Sequence, residues 1–266
     1  MDDLFDMVEL IDEYEGMDKL EVKGEEFVDL CGKSGFPKDV EVQGAFMLRM
    51  IESCCKGVDH VRVGADIIHC TKMTDAPKVF ELTSRCKELW LNAVDVSDCE
   101  LKLAEGGDKL YMGHAKGIKS GSDFSGFDYV EMSGNKMQDF ASYKFKDGSS
   151  IDMVLCSGFP GSLDLSAFGD VDLRGANLSG VEEIIFREGA KLDISGAKNL
   201  PEVLDLSKCG DVRASNTDLT GVKKIKYRDN AQANKFVNEV DYRTYPAVTI
   251  GGGSVSSGRG DAGLDR

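Results

Sequence analysis

The stretch Leu163-Asp-Leu165-Ser-Ala-Phe168-Gly-Asp-Val171 returns without a gap, 41 residues later, as Leu204-Asp-Leu206-Ser-Lys-Cys209-Gly-Asp-Val212. The same offset relates Leu178 to Leu219, Val181 to Val222, Ile184 to Ile225 and Phe186 to Tyr227. A step of 41 also connects Cys86, Phe127, Phe168 and Cys209. Each 41-residue unit divides into two similar halves. Val181-x-x-Ile184-x-Phe186-x-x-Gly189-x-x-Leu192 and Pro201-x-x-Leu204-x-Leu206-x-x-Cys209-x-x-Val212 share one apolar pattern. Self-similarity at so short a period is the signature of a stacked array, in which no single unit can bury its own apolar face.

Coil starts fall near Met17, Pro37, Val58, Pro77, Asp98, Ile118, Phe140, Pro160, Val181, Pro201 and Val222, which predicts about eleven coils of 20–21 residues. Alternations such as Leu163-Asp-Leu165 have period two and specify strands. A second short alternation follows in most coils, as in Val171-Asp-Leu173, Leu192-Asp-Ile194 and Leu110-Tyr-Met112. So short a coil leaves little room for a full helix, so strands and turns should dominate. The expected fold is a mostly β repeat solenoid, with a rod length on the order of 50 Å at ~4.8 Å per coil. The coil near Ile118 is degenerate: Gly121 and Asp123 stand where apolar residues are expected, so residues 113–124 read as a looser loop or bulge.

The ends differ from the array. In residues 1–16, Leu4, Met7, Val8, Ile11 and Tyr14 share one helical face, predicting an acidic capping helix ended by Gly16. The solenoid then covers 17–232. Residues 233–250 form a C-terminal cap, in which Asn230 caps a helix bearing Ala233, Phe236, Val237 and Val240, followed by a strand at 246–250. Residues 251–266 read as a flexible Gly/Ser tail.

Charge bears on partners. The net charge is −15, and residues 1–31 carry twelve carboxylates against Lys19 and Lys23, a net −10 that leaves −5 for the rest. Phosphate binding needs a basic footprint, so nucleic acid is not the expected partner. No apolar run approaches the ~18–20 residues that span a bilayer, and the acidic start lacks the basic region of a secretory signal. A cytoplasmic, membrane-free, monomeric protein is the expectation. The eight cysteines, mostly at repeat positions beside apolar residues, read as reduced core residues.

The spacing L-x-x-L-x-L-x-x-N/C in Pro201-Glu-Val-Leu204-Asp-Leu206-Ser-Lys-Cys209 and Val222-Lys-Lys-Ile225-Lys-Tyr227-Arg-Asp-Asn230 resembles that of bacterial leucine-rich repeats. The resemblance covers roughly 17–232 and implies a leucine-rich-repeat-like parallel solenoid used to bind other proteins. The departures are Val, Ile, Phe or Cys at leucine positions and an unusually regular second strand, which keeps open a β-solenoid with two sheets per coil. Locally, Val171-Asp-Leu-Arg-Gly-Ala-Asn-Leu-Ser-Gly180 resembles pentapeptide repeats, whose five-residue register breaks at Glu183. That likeness implies the alternative of an acidic solenoid imitating nucleic acid to inhibit a DNA-binding enzyme. A secreted bacterial effector that binds a host protein is a third reading.

No catalytic constellation stands out. His60, His69 and His114 lie in different coils, and neither C-x-x-C nor H-x-x-x-H spacing occurs, so no metal or cofactor is expected. Gly106-Gly107 and Gly251-Gly-Gly lack the Lys-Ser/Thr of a phosphate-binding loop. Arg259-Gly260-Asp261 matches an integrin-recognition tripeptide, but short matches in a Gly/Ser tail arise by accident. The expectation is a non-enzymatic binding scaffold. Its candidate face is the middle position of successive first strands: Glu41, Arg62, Glu81, Lys102, Lys144, Asp164, Asp205 and Lys226, with Ser122 between Lys102 and Lys144. From Glu41 onward charges there largely alternate from coil to coil, predicting a ladder of cross-strand pairs and a mixed-charge docking surface.

Overall fold

A computed structural model describes residues 7–9, 17–24, 26–240 and 247–250. The chain is a parallel β-solenoid of about ten turns at roughly 21-residue spacing, with two sheets and a bridge side in every full coil. Two parallel sheets per coil is the arrangement left open beside the leucine-rich-repeat expectation.

One coil shows why the sequence winds this way. Leu163 and Leu165 point inward from the strand Ser162–Leu165, and a two-residue turn leads into Phe168–Asp172, which buries Phe168 and Val171. After Leu173 the chain turns through Gly175, buries Ala176 and Leu178 on the bridge side, and returns through Val181 to the next strand, Glu183–Phe186. Each side thus contributes inward apolar residues, and stacking joins them into one continuous core. The turn after the second strand needs a left-handed residue. That position carries Gly32, Glu52, Lys72, Ala93, His114, Gly134, Leu155, Gly175, Gly196 and Asn216 in successive coils, all at φ between 55° and 71°. Glycine takes this conformation freely, while a side chain there costs about 1 kcal/mol or more.

The second sheet runs unbroken from Met7–Glu9 to Asp211–Arg213. The first sheet does not. Its strands Lys19–Lys23, Val79–Leu82 and Glu100–Lys102 join the second sheet's hydrogen-bonded network because Asp39–Arg49 and His60–His69 run through the corner and belong to both sheets. Beyond Lys102 the first sheet breaks into three pieces: Asp123–Phe124 with Lys144–Phe145, Ser162–Leu165 with Glu183–Phe186, and Val203–Asp205 with Lys224–Tyr227 and Ala247–Ile250.

The irregular coil closes differently from expectation. Phe124, fully buried, supplies the core residue, and Asp123 pairs in register with Lys144. The register therefore lies one residue later than a reading centred on Ser122, because Phe124 and not Ser122's neighbours fills the interior. At the N-terminus, Met7–Glu9 is a strand parallel to Phe27–Asp29, where a helical segment was expected; the 20-residue step simply continues. The rest of that expected helix, and the tail at 251–266, lie outside the described residues. At the other end a helix spans Asn230–Glu239 and buries Ala233 and Phe236. Its N-cap is Asp229, not Asn230: the Asp229 carboxylate accepts from the Gln232 amide at 2.8 Å. Gln232 then donates to the Leu206 and Cys209 carbonyls at 3.1 and 2.9 Å, which covers the end of the coil beneath. The strand Ala247–Ile250 follows as expected.

Candidate functional site: the outer faces of the two sheets

On the first sheet, Glu41, Arg62, Glu81 and Lys102 occupy one continuous register row. Arg62 reaches Glu81 at 3.4 Å and Asp39 at 3.5 Å, while Glu41 pairs with Lys19. Lys144 pairs with Asp123 at 3.5 Å and Lys226 with Asp205 at 2.8 Å. Asp164 lies in a separate piece, opposite Ile185, and its carboxylate accepts from the Ser166 amide at 2.9 Å. Most charges of this face are thus answered within the face. The eight candidates line one side of the rod but form no pocket together.

The second sheet is organised differently. Its register aligns Arg49, His69, Trp90, Tyr111, Glu131, Asp152, Asp172, Asp193 and Arg213, one per coil. The first part of this row is aromatic. Trp90 and Tyr111 stack with centroids 3.8 Å apart and planes 15° from parallel, and His69 lies 5.1 Å from Trp90. Tyr129, from the neighbouring row, meets Tyr111 edge-on at 5.9 Å. With ring faces turned to each other along the rod, the rings show their edges to solvent and remain half-buried. Burial lowers the His69 pKa, so its neutral form is favoured.

The second part of the row is four consecutive carboxylates, and each of them closes a local turn. The side chains of Glu131, Asp152, Asp172 and Asp193 accept from the amides of Ser133, Val154, Arg174 and Ser195, two residues on, at 2.8–3.0 Å. At Asp152, Asp172 and Asp193 such side-chain turns explain why a short acidic residue suits the end of the strand. They do not explain why like charges are stacked. Arg174 answers Asp172 at 2.7 Å, and among the described residues it is the one cation bonded to the four. Asp152 also accepts from the Ser133 and Tyr129 hydroxyls, at 3.3 and 3.4 Å. Burial, then the charges of Asp172 and Glu131, raise the Asp152 carboxyl above its ordinary value. Burial and the Asp152 charge push the Tyr129 hydroxyl up as well. Along this row lies a shallow trough of about 320 Å³, lined among others by Tyr129, Asp152, Asp172, Asp193 and Arg213.

Reactive groups elsewhere are subdued. All eight cysteines are free thiols; six are buried, and Cys31 and Cys54 are half-buried. Burial pushes Cys55, Cys156 and Cys209 up to about 12, far from the thiolate form needed of a nucleophile. Among the described residues no group of three or more His, Cys, Asp or Glu side chains could hold a metal ion, and no helix is long and apolar enough to cross a membrane.

The second-sheet row was not singled out from the sequence, although the signal exists. Steps of 21 lead from His69 to Trp90 to Tyr111, and steps of 20–21 lead on through Glu131, Asp152, Asp172 and Asp193. In comparisons with protein-family models, curated proteins and solved structures, nothing matches this chain.

Proposed function

We propose that this chain is a non-enzymatic protein-binding scaffold whose partner docks along the outer face of the second sheet. The observation that carries this reading is the stack of Glu131, Asp152, Asp172 and Asp193 in adjacent register, with a single bonded cation among the described residues. Like charges directly opposite one another destabilise a sheet. On the first sheet the fold avoids this by alternating sign; on the second it does not. A partner segment bearing Lys or Arg would relieve the repulsion, while its apolar side chains would meet the half-exposed edges of Trp90 and Tyr111. Parallel coils present these groups at ~4.8 Å intervals, so an extended segment lying along the rod axis meets one coil after another.

Imitation of nucleic acid is a second reading drawn from the same row. Four carboxylates over three coil steps span only about 14 Å, which is short for a duplex-like stripe. The test is affinity capture with the full chain, compared with a variant carrying Glu131→Gln, Asp152→Asn, Asp172→Asn and Asp193→Asn. A saturable partner that the variant loses supports the second-sheet face. Retention by this variant, with loss on reversing Glu81, Asp164 and Asp205, would move the interface to the first sheet. Capture solely of basic nucleic-acid enzymes, abolished by moderate salt, would favour imitation.

A further inference from the structure

The outer face of the second sheet is divided along the rod into two halves of different chemistry. Two residues before the row of Trp90 and Asp152 runs a second outward row, which carries Phe27, Met47 and Ile67 in three successive coils. Val28, Leu48 and Ile68 lie between the two rows and are fully buried, so these three apolar side chains point outward, and they remain half-exposed. The position does not itself demand an apolar residue: in the next two coils the same row carries Glu88 and Lys109. Phe46, at the corner before Met47, is 43% exposed. Together with Trp90 and Tyr111 these side chains make the face apolar over the coils from Phe27 to Tyr111.

Charges within this half are answered locally. Arg49 bonds Asp29 at 3.1 Å and lies 5.9 Å from the centre of the Phe27 ring. Lys87 bonds Asp66 at 2.9 Å and lies 5.5 Å from the centre of the Phe46 ring. Lys109 bonds Glu88 at 3.2 Å. Beyond Tyr111 the balance changes. The stack from Glu131 to Asp193 has Arg174 as the one cation bonded to it among the described residues, and in the flanking row Lys191 is taken up by Asp170 at 3.4 Å.

A second copy of this chain does not suit such a face. The apolar half spans four coil steps, about 19 Å, and is two outward residues wide, so it would bury roughly 300 Å² on each copy. Stable interfaces bury about 1,200–2,000 Å² in total. Extending the contact along the whole rod lays acid on acid if the copies run parallel, and acid on aromatic rings if they run antiparallel. We infer that the occupant is instead an extended segment of another protein, about twelve residues long, with an apolar half and a Lys/Arg half. Its apolar half covers Met47, Ile67 and the edges of Trp90 and Tyr111, and its basic half runs along Glu131, Asp152, Asp172 and Asp193. The length follows from the eight coil steps between Asp29 and Asp193, about 38 Å, at ~3.3 Å per extended residue. This inference rests on the reading of the second sheet as the docking face, and adds to it the order of the partner's residues.

Trp90 is the chain's single tryptophan and lies in the apolar half, so its fluorescence reports where a segment sits. The probe is a synthetic peptide of that length without aromatic residues, leucine alternating with serine through one half and lysine with serine through the other. Its control interleaves the same residues. Titrated into the full chain, the block peptide should shift Trp90 emission saturably to the blue and bind at least about tenfold more tightly than the control. A nitroxide, which quenches only at close range, should quench Trp90 from the leucine end. From the lysine end it should not, because Asp193 lies five coil steps away, about 24 Å. Two variants should each weaken the block peptide about tenfold or more: Met47→Ser with Ile67→Ser, and Glu131→Gln with Asp152→Asn, Asp172→Asn and Asp193→Asn. Circular dichroism melts check that both fold. Equal affinity for the two peptides, lost in the amide variant, would overturn the two-block order and leave docking on this face standing. Binding that neither variant weakens would overturn both, because the peptide then sits elsewhere. No saturable change up to about 1 mM peptide would overturn the inference alone, since affinity capture judges the docking face separately.

Discussion

Replacing Asp152 by Asn should stabilise the protein at neutral pH. Asp152 stands between Glu131 and Asp172 in the acidic row, one coil away from each. Two unit charges about 5 Å apart repel by about 0.8 kcal/mol in bulk water, and measured like-charge pairs across strands cost about 0.2–1 kcal/mol each. Asp152 is half-exposed, and Arg174 partly neutralises Asp172, so the lower part of that range applies and the two pairs together cost about 1 kcal/mol. Little is lost in exchange. An asparagine oxygen can still accept from the Val154 amide and the Ser133 hydroxyl, and its NH2 can donate to the Tyr129 oxygen. The sign follows from the raised folded-state pKa of Asp152. Its ionised form is disfavoured by folding, so the wild-type penalty is complete above the folded value. The penalty fades as pH falls through that value toward the ordinary carboxylate range near 3.9. Thermal unfolding followed by circular dichroism should therefore show Asp152→Asn melting about 2 °C higher at pH 7, with the advantage shrinking toward pH 4. A variant no more stable than wild type at pH 7, or an advantage that does not change with pH, would refute the electrostatic account of this row.

Two further substitutions probe the turns and the C-terminal cover. Leu155 holds φ 59° in the left-handed column and is 64% exposed, so Leu155→Gly should raise stability by about 0.5–1 kcal/mol in urea unfolding; a loss would show that its contact with Gly175 outweighs the backbone cost. Gln232→Ala leaves the Leu206 and Cys209 carbonyls and the Arg228 amide without their side-chain partner, and should destabilise by about 2 kcal/mol. Hydrogen exchange should then accelerate in Val203–Asp205 and Asp211–Arg213, with Val79–Leu82 unaffected.

The coil length, strand character and inward residues were legible because burial restricts those positions to a few apolar types, and a short period repeats the restriction many times. Leu163, Leu165, Phe168 and Val171, with their counterparts Leu204, Leu206, Cys209 and Val212, are all buried as the repeat requires. The irregular coil was misplaced by one residue because Ser122 and Asp123 are both polar and neither announces which way it faces; only Phe124 decides, by filling the core. The outward rows were less legible for the same physical reason. No common requirement acts on Trp90, Tyr111, Glu131 and Asp152, so their residue types differ, and a row of unlike residues is visible only once the register is known.

The unequal continuity of the two sheets has a mechanical meaning. The second sheet is one uninterrupted ladder of backbone hydrogen bonds, while beyond Lys102 the first is three separate pieces with no strand pairing between them. A rod built this way is stiff along one edge and jointed along the other. Bending that opens the joints between Phe145 and Ser162, or between Phe186 and Val203, breaks no strand pairing, whereas stretching the opposite edge must break several bonds at once. The molecule can therefore flex about its continuous edge in one preferred direction while Trp90, Asp152 and their neighbours keep their spacing.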